Sequence, residues 1–285
     1  MTGADPGATS KQAGAVQVSA PAKLTLSLRV TGVRPDGYHE LDAEMVALDL
    51  HDSLIFEPGT GLAVQAELPV PDGLGEVPSG PDNLVVKALT AVGREARVGL
   101  IKRIPPGAGL GGGSSNAAAV LRWAGCHDLA VAARLGADVP FCVVGGRASV
   151  RGIGESVMPL PYQERRFVLL LPPFGVNTAA VYRAWDELER TGRAAGRAGD
   201  GRAGTNDLEE AALVVEPRLA AWRDRFAEVS GRRPLLAGSG STWFLEGTPE
   251  ELGTEGQAFL NVGAAKGALV AVRTVRADYS PSDDT

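Results

Sequence analysis

The chain has 285 residues, of which 44% are hydrophobic, and its formal net charge is −6. That length and apolar content predict one large domain or two of ordinary size, and the acidic balance argues against a nucleic-acid partner, which would require a basic face. No apolar run approaches the roughly 18 residues of a membrane span, and residues 1–15 lack the basic and apolar segments of a signal peptide, so we expect a cytoplasmic protein with a disordered tail over residues 1–15.

The two cysteines, Cys126 and Cys142, have no metal-binding spacing, and the three histidines do not cluster with them. We therefore expect free, buried thiols in a reducing compartment rather than a disulfide scaffold.

The N-terminal region predicts β-strands. Residues 16–30 alternate apolar and polar side chains from Leu24 onward, which indicates a strand with one buried face. Pro21 interrupts the run, so two short strands or a bulge should meet near Lys23. From its position alone, a lysine at such a break can point into a site or lie on a solvated edge.

A turn over residues 31–40 carries Tyr38 and His39 side by side. An aromatic ring next to an imidazole can grip a planar ligand by stacking and hydrogen bonding, although a tyrosine at the start of a strand equally suits core packing. Further strands are expected over residues 41–57 and 62–68.

The most informative stretch is P-P-G-A-G-L-G-G-G-S-S-N-A-A-A, residues 105–119, between a strand expected over 98–104 and a helix expected over 115–123. Its five glycines permit unusual backbone angles, and they precede N-cap residue types and helix-forming alanines. The first amides of a helix lack intrahelical acceptors and the helix dipole is positive there, so this arrangement predicts an anion site, most often for phosphate. A flexible linker fits less well, because a helix follows directly.

Two better-known glycine loops do not fit this stretch. A P-loop requires a lysine before a serine or threonine, and none is present here. A literal G-x-G-x-x-G occurs at residues 107–112, but a dinucleotide site should follow the first strand of a βαβ unit, and this loop lies a third of the way along the chain. Residues 127–133 supply only Asp128 as the acidic residue, in the wrong setting.

The remaining elements mix helices and strands without strict βαβ alternation, which favours an α+β fold. We expect helices over 83–96, 128–135, 178–188 (with Thr178 as N-cap), 206–213, 215–229 and 249–264. We expect strands over 141–151, 166–171, 234–246 (two strands around a Gly-Ser turn) and 267–275. Asp138 would then lie at a helix-to-strand junction, where an aspartate usually caps the local backbone. Residues 191–205 are of low complexity and predict a mobile surface loop.

Several stretches together resemble the superfamily of galactokinase, homoserine kinase, mevalonate kinase and phosphomevalonate kinase. The glycine stretch resembles its central motif, and S-A-P-A-K-L-T-L-S-L (19–28) and L-A-G-S-G-S-T-W-F (236–244) look like its N- and C-terminal motifs. Three more stretches look like one family of that superfamily, the 4-diphosphocytidyl-2-C-methyl-D-erythritol kinases: R-P-D-G-Y-H-E-L (34–41), L-G-A-D-V-P-F (135–141) and N-D-L-E (206–209).

The resemblance implies a two-lobed α+β fold with the active site in the cleft between the lobes. It implies an ATP-binding and catalytic domain over residues 16–157, a substrate-binding domain over 158–277 and a frayed tail over 278–285. The implied reaction is phosphorylation of the 2-hydroxyl of 4-diphosphocytidyl-2-C-methyl-D-erythritol by ATP with Mg²⁺, in non-mevalonate isoprenoid biosynthesis. Another small-alcohol kinase of the superfamily and a non-catalytic nucleotide-binding homologue remain as alternatives. The expected partners are these small molecules, with no nucleic acid and no membrane, and the expected state is a monomer or weak dimer.

The same resemblance implies roles for individual residues. Lys23 matches the active-site lysine, and Asp138 matches the catalytic aspartate that serves as the base. The implied ATP-binding residues are Pro106, Gly107, Ala108, Gly109, Leu110, Gly111, Gly112, Gly113, Ser114 and Ser115. The implied substrate-binding residues are Thr25, Tyr38, His39, Thr178, Tyr182, Gly238 and Ser239. No protein ligand for the metal is assigned, although the Ser115 hydroxyl is a candidate for Mg²⁺.

Two features depart from the family pattern. Thr25 stands where the family usually has asparagine, and a hydroxyl offers different reach and geometry. The segment between Trp123 and Leu135 is shorter than is usual in the family, so the position of Asp138 relative to the glycine loop is open.

Overall fold

The computed structural model describes residues 14–69, 77–192 and 205–279. Most of the expected surface loop at 191–205 lies outside these residues, as do most of the expected tails over 1–15 and 278–285. The described part combines helices with antiparallel-rich sheets, which confirms the α+β class.

Among the described residues, the first half of the chain forms β1 (Val16–Val33), β2 (His39–Glu57), β3 (Gly61–Ala66), α1 (Leu84–Ala91), β4 (Arg97–Lys102), α2 (Gly112–Trp123), α3 (Leu129–Leu135), α4 (Val139–Val144), β5 (Arg147–Gly152) and β6 (Ser156–Pro159). The second half contains β7 (Arg166–Leu171), α5 (Thr178–Arg190), α6 (Glu209–Val215), α7 (Arg218–Ser230), β8 (Leu235–Leu236), β9 (Trp243–Glu246), β10 (Phe259–Val262) and β11 (Ala265–Arg273).

The first sheet is built around β2, which pairs antiparallel with β1 along nearly its whole length. Strand β2 also pairs with β4 and with β5, and β3 and β6 extend the sheet beyond them. The β1–β2 register shifts between Pro21 and Lys23, which confirms the bulge expected there. Because proline cannot donate to the ladder, it is tolerated where the pairing is interrupted.

The second sheet has the strand order β10-β11-β7-β9-β8, and all of its pairings are antiparallel. Its central strand β7 is the apolar run Arg166–Leu171, which is buried from its second residue onward. Helices α5, α6 and α7 supply side chains that pack against this sheet.

Three hydrophobic clusters hold the described part together. The first packs the first sheet against α1–α4, the second packs the second sheet against α5–α7, and a middle cluster joins the two sheets through residues such as Leu24, Phe167 and Phe244. Strand β1 contributes to all three, with Ala20 in the first, Leu24 in the middle and Leu28 in the second. A fully buried leucine or phenylalanine stabilises the fold by about 1.5–3 kcal/mol, so β1 couples the halves strongly.

Two segments differ from the sequence-based expectation. Residues 141–144 were expected as strand but form helix α4, since a short apolar run suits a buried helix as well as a buried strand. Residues 249–264 were expected as helix but form turns followed by β10. Gly253 and Gly256 have φ values of +64° and +70°, which a helix does not allow.

The N-cap of α5 also differs. Asn177, and not Thr178, occupies the cap, and its side chain accepts a hydrogen bond of 2.9 Å from the Ala180 amide. Thr178 is the first helical residue, which leaves its hydroxyl available for another partner. None of the helices within the described ranges is long and apolar enough to cross a membrane.

Candidate active site

The glycine stretch forms a tight loop between β4 and α2 and leads directly into the helix. Gly107, Gly109 and Gly111 have φ between +67° and +77°, a region that side-chain-bearing residues rarely adopt. The loop is also held by its neighbours, because its carbonyls at Gly107 and Ala108 accept hydrogen bonds from the amides of Val176 (3.1 Å) and Thr242 (3.2 Å). It is therefore a fixed turn rather than a linker.

Helix α2 begins at Gly112 rather than near Ser115, and its N-cap is Gly111 in the left-handed conformation. Ser114, Ser115 and Asn116 were expected as N-cap types but lie inside the helix. The amide of Ser115 donates to the Gly111 carbonyl (2.8 Å), so the amides of residues 112–114 come before the first helical hydrogen bond. These free amides and the positive end of the helix dipole are the features from which an anion site was predicted.

Lys23 and Asp138 come together beside this loop. Lys23 Nζ lies 3.5 Å from Asp138 Oδ2, and it donates a 3.2 Å hydrogen bond to the Thr25 hydroxyl. Lys23 is only 5% exposed, whereas the Asp138 side chain is 32% exposed. The lysine is thus a fixed internal cation, and the carboxylate remains accessible to a ligand. The shorter segment between Trp123 and Leu135, which contains α3, does not prevent this pairing.

Asp138 occupies the N-cap position of α4 but makes no capping hydrogen bond with its side chain. The local-cap interpretation of this aspartate is therefore wrong, and its carboxylate is available for the pairing with Lys23. Pro140, in the first turn of α4, removes an amide that has no helical acceptor there.

The turn over residues 238–241 lies next to the Lys23 side chain. A Cβ placed on Gly238 would lie 3.4 Å from Lys23 Nζ and 3.8 Å from Thr25 Oγ1. The hydroxyls of Ser239 and Thr178 are 2.8 Å apart and form a hydrogen bond. Thr25 is buried and accepts from Lys23, so its observed contact is with the lysine.

A second group of side chains surrounds His39. Its Nε2–H donates to Asp186 Oδ1 at 2.7 Å, its ring lies 4.7 Å from the Tyr182 ring, and Trp185 packs edge-on at 5.4 Å. The pKa of Tyr182 is raised, first by burial and then by the negative charge of Asp138. The Asp138 carboxylate therefore acts electrostatically on one member of the His39 group.

Two sequence expectations are modified by these contacts. Tyr38 has 60% of its surface exposed, and within the described residues its ring pairs with no other ring, unlike that of His39. The Ser115 hydroxyl is buried and donates a 2.7 Å hydrogen bond to the Pro21 carbonyl. Ser115 therefore faces β1 in this structure, and Ser114 is the half-buried hydroxyl of the same helical turn.

Sequence reasoning missed a buried charged network beneath the loop. Asp52 accepts hydrogen bonds from the Arg103 amide (2.7 Å), the Ile104 amide (2.9 Å) and Asn116 Nδ2 (2.8 Å), and it pairs with Lys102. Burial lowers the pKa of Lys102, while the Asp52 carboxylate opposes that shift. The sequence signal for this network was a charged residue in each of two largely apolar strands, Asp52 in β2 and Lys102 in β4.

Both cysteines are free, as expected, but only Cys142 is buried, whereas Cys126 is half-buried. Burial, with a contribution from the Asp138 charge, raises the pKa of Cys142 to about 12, which makes this thiol a poor nucleophile. Within residues 14–69, 77–192 and 205–279, no three His, Cys, Asp or Glu side chains are grouped to hold a metal ion.

Comparisons with known proteins identify relatives of this chain. The family model described as "GHMP kinases N terminal domain" matches residues 83–146, which include the glycine loop and Asp138. The chain is 39% identical over 236 residues to the 4-diphosphocytidyl-2-C-methyl-D-erythritol kinase of Paracoccus denitrificans, covering 79% of this chain and 85% of that one. It is 40% identical over 258 residues to the protein of the same name from Pelotomaculum thermopropionicum, covering 79% and 86%.

Solved structures of kinases also superpose on this chain. A crystal structure of 4-(cytidine 5'-diphospho)-2C-methyl-D-erythritol kinase superposes with a TM-score of 0.60 at 35% identity, covering 80% of this chain and 89% of that one. The Methanococcus jannaschii mevalonate kinase superposes with a TM-score of 0.54 over 93% of this chain and 100% of its own, but at 14% identity, so it shows the shared fold alone.

Proposed function

This chain belongs to the 4-diphosphocytidyl-2-C-methyl-D-erythritol kinase family of the GHMP kinases, and from that membership we propose that it transfers the γ-phosphoryl group of ATP to the 2-hydroxyl of 4-diphosphocytidyl-2-C-methyl-D-erythritol. The products are the 2-phosphate and ADP, and the reaction belongs to isoprenoid biosynthesis.

The observation that carries this proposal is the Lys23–Asp138 pair, 3.5 Å apart and beside the amides of residues 112–114. Phosphoryl transfer requires positioning and charge stabilisation more than covalent help from the protein. Asp138, the accessible member, accepts the proton of the acceptor hydroxyl as its oxygen attacks the γ-phosphorus. Lys23, the buried member, offsets the negative charge of the transferring group and holds Asp138 in place.

The glycine loop from Pro106 to Ser115 binds the triphosphate of ATP. The amides of residues 112–114 point along the helix axis and have no helical acceptors, so phosphate oxygens can satisfy them. The start of the helix is also packed closely on the residues beneath it, since a Cβ on Gly112 would lie 2.9 Å from Ile104 Cγ2 and from Lys102 Nζ.

Mg²⁺ fits this arrangement as an ion that arrives with the nucleotide. Mg²⁺ prefers hard oxygen ligands, usually one or two carboxylates together with substrate phosphates and water. The half-buried Ser114 hydroxyl is an oxygen donor of this kind, whereas the Ser115 hydroxyl is engaged with Pro21. When bound, the ion supplies additional neutralisation of phosphate charge.

The His39 group binds the cytosine of the acceptor. With Nε2–H donating to Asp186, Nδ1 of a neutral ring is an acceptor for the exocyclic amino group of cytosine. Tyr182 presents a ring for stacking, and Tyr38 is exposed at the end of the preceding turn. Thr178, Gly238 and Ser239 then border the methylerythritol unit, with Thr25 acting on it through Lys23.

These assignments give each half of the chain a share of the site. Residues 16–157 hold ATP and the catalytic pair, and residues 158–277 contribute Tyr182, Asp186 and the 238–241 turn to acceptor binding. The His39–Asp186 contact supports cytosine recognition over recognition of another small alcohol, because it orients an imidazole for a base. The retained Lys23–Asp138 pair favours a catalyst over a non-catalytic nucleotide-binding protein.

The function is tested by incubating the purified protein with Mg-ATP and 4-diphosphocytidyl-2-C-methyl-D-erythritol. ADP release is followed together with the phosphorus NMR spectrum, in which one phosphomonoester should appear for each ADP. Homoserine and mevalonate serve as control acceptors and should not support ADP release. Intact ATP binding without turnover would overturn the proposal, and turnover of a control acceptor alone would replace it with another small-alcohol kinase.

A further inference from the structure

The N-D-L-E stretch at residues 206–209 has no role in the site as described so far. In the structure, Asn206 uses its whole amide group: Nδ2 donates to the carbonyls of Leu236 (2.9 Å) and Gly238 (2.7 Å), and Oδ1 accepts from the Leu208 amide (3.0 Å). Both recipient carbonyls belong to the segment that enters the 238–241 turn, which links this motif to the catalytic region.

The neighbouring contacts tie the same loop to β1, the strand that carries Lys23. The Leu28 amide donates to the Thr205 carbonyl (2.9 Å), the Asp207 amide donates to the Leu28 carbonyl (3.0 Å), and the Val30 amide donates to Asp207 Oδ2 (2.9 Å). Residues 205–207 therefore join two partners, β1 on one side and the 238–241 turn on the other.

The turn that Asn206 holds packs tightly against the catalytic elements. A Cβ on Gly238 would lie 3.4 Å from Lys23 Nζ, and a Cβ on Gly109 would lie 2.7 Å from the Gly240 carbonyl oxygen. A shift of this turn would therefore displace both the Lys23 side chain and the glycine loop. Since Ser239 bonds to Thr178, the turn also borders the acceptor.

We infer that Asn206 is a positioning residue for phosphoryl transfer, because it sets the distance between the 238–241 turn and Lys23. The inference rests on the proposed function above. Two carbonyls that lose their donors in a partly buried loop lose stabilisation, and the turn can then move. A displacement of about 1 Å in a reacting constellation can cost roughly a hundredfold in rate.

The test compares two neighbouring residues of one loop. Asn206→Asp keeps the size of the side chain and an acceptor for the Leu208 amide, but it replaces both donors with a carboxylate that faces two carbonyls. Asp207→Ala removes the contact with the Val30 amide and leaves the turn untouched. We measure kcat, the Kd of ATP, the thermal midpoint and hydrogen exchange of a peptide covering residues 236–243.

For Asn206→Asp we expect kcat to fall at least about tenfold, the Kd of ATP to stay within about threefold, and exchange in the turn peptide to accelerate. For Asp207→Ala we expect a lower thermal midpoint, kcat within about threefold of the parent, and unchanged exchange in the turn. If Asn206→Asp does not fold, Asn206→Ala takes its place with the same expectations.

The inference is overturned if kcat of the Asn206 variant stays within about threefold of the parent, or if both variants lose kcat in proportion to their loss of thermal stability. An inactive parent protein would instead count against the proposed function. In that case the exchange measurement, which needs no turnover, still decides whether Asn206 anchors the turn.

Discussion

The backbone amide of Lys23 donates a 2.9 Å hydrogen bond to the carbonyl of Leu110, so the bulge in β1 is joined directly to the glycine loop. This bond sits beside the register shift that follows Pro21. The lysine and the amides that we propose bind phosphate thus belong to one hydrogen-bonded framework, which is what charge stabilisation in a transition state requires. A substitution that displaces either Lys23 or the glycine loop should therefore lower kcat.

Gly111 is the position where this framework is most sensitive. A Cβ there would lie 2.7 Å from Lys23 Cγ, so Gly111→Ala should push the lysine stem away from Asp138. We expect kcat to fall by about tenfold to a hundredfold, because an ångström of misplacement can cost about that much. Steady-state kinetics with saturating ATP and acceptor measure it.

The control for this change is Gly231→Ala, at the C-cap of α7. Gly231 has a φ of +65°, close to the +67° of Gly111, but a Cβ there would meet nothing within 4 Å. Both variants should lose about 1–2 kcal/mol of folding stability from the left-handed conformation, and only Gly111→Ala should lose kcat. Equal kcat values in the two variants would contradict the steric argument.

Asp138→Asn should separate binding from chemistry. The amide keeps the shape of the side chain but cannot accept the proton of the acceptor hydroxyl. We expect kcat to fall by about 10²–10⁴, the usual contribution of a general base, while the Kd values of both substrates change little. Calorimetric binding and single-turnover kinetics provide the two readouts. A kcat within about threefold of the parent would show that Asp138 is not the base.

Tyr182→Ala should weaken acceptor binding selectively. Its ring lies 4.7 Å from that of His39, so its removal takes away one wall of the proposed cytosine site. We expect the KM for the cytidyl substrate to rise about tenfold, since base stacking on an aromatic contributes about 1–3 kcal/mol, and the KM for ATP to stay constant.

The matched control is Tyr162→Ala, because Tyr162 contacts the Thr274 carbonyl and Arg276, and neither belongs to the site. This variant should leave both KM values unchanged. An unchanged acceptor KM in Tyr182→Ala would assign that tyrosine to packing alone.

The buried Asp52–Lys102 pair should be strongly non-additive. Asp52→Leu leaves the Lys102 ammonium buried without its counter-charge, which should cost about 3–5 kcal/mol, and Lys102→Met should leave the carboxylate in a similar state. The double variant removes both charges, so its loss of unfolding free energy should be smaller than the sum of the single losses. Urea unfolding of the four proteins gives the coupling energy, and additivity within about 0.5 kcal/mol would contradict it.

Local sequence signals were sufficient for some of the fold and of the site. The apolar run at 166–171 forms β7, and the proline break near Lys23 forms a bulge, because hydrophobic burial and the missing proline amide act locally. The glycine loop could also be predicted, because glycines and helix-forming alanines act on the backbone locally. Its helix nevertheless begins earlier than the cap-forming residues suggested.

Other features depend on distant partners and could not be read locally. Whether Asp138 caps α4 or pairs with Lys23 is decided by a strand far away in the sequence. The His39–Asp186 contact joins β2 to α5. His39 was a candidate from the sequence, but nothing in the segment around Asp186 indicated that it would be the partner of His39. The apolar residues of α4 were assigned to a strand because periodicity does not separate a short buried helix from a short buried strand.

The passage of β1 through all three hydrophobic clusters has a consequence for the order in which the protein is made. Lys23 and the glycine loop leave the ribosome early, but Gly238, which packs against the lysine, and Trp243, which shares a cluster with Leu28, leave it late. The N-terminal part of a nascent chain can begin to fold first. Leu28 nevertheless cannot pack with Trp243, and Lys23 cannot contact the turn at Gly238, until the second sheet has been synthesised. Lys23, the lysine that we propose acts in phosphoryl transfer, is thus among the first residues made and among the last to be fixed in place.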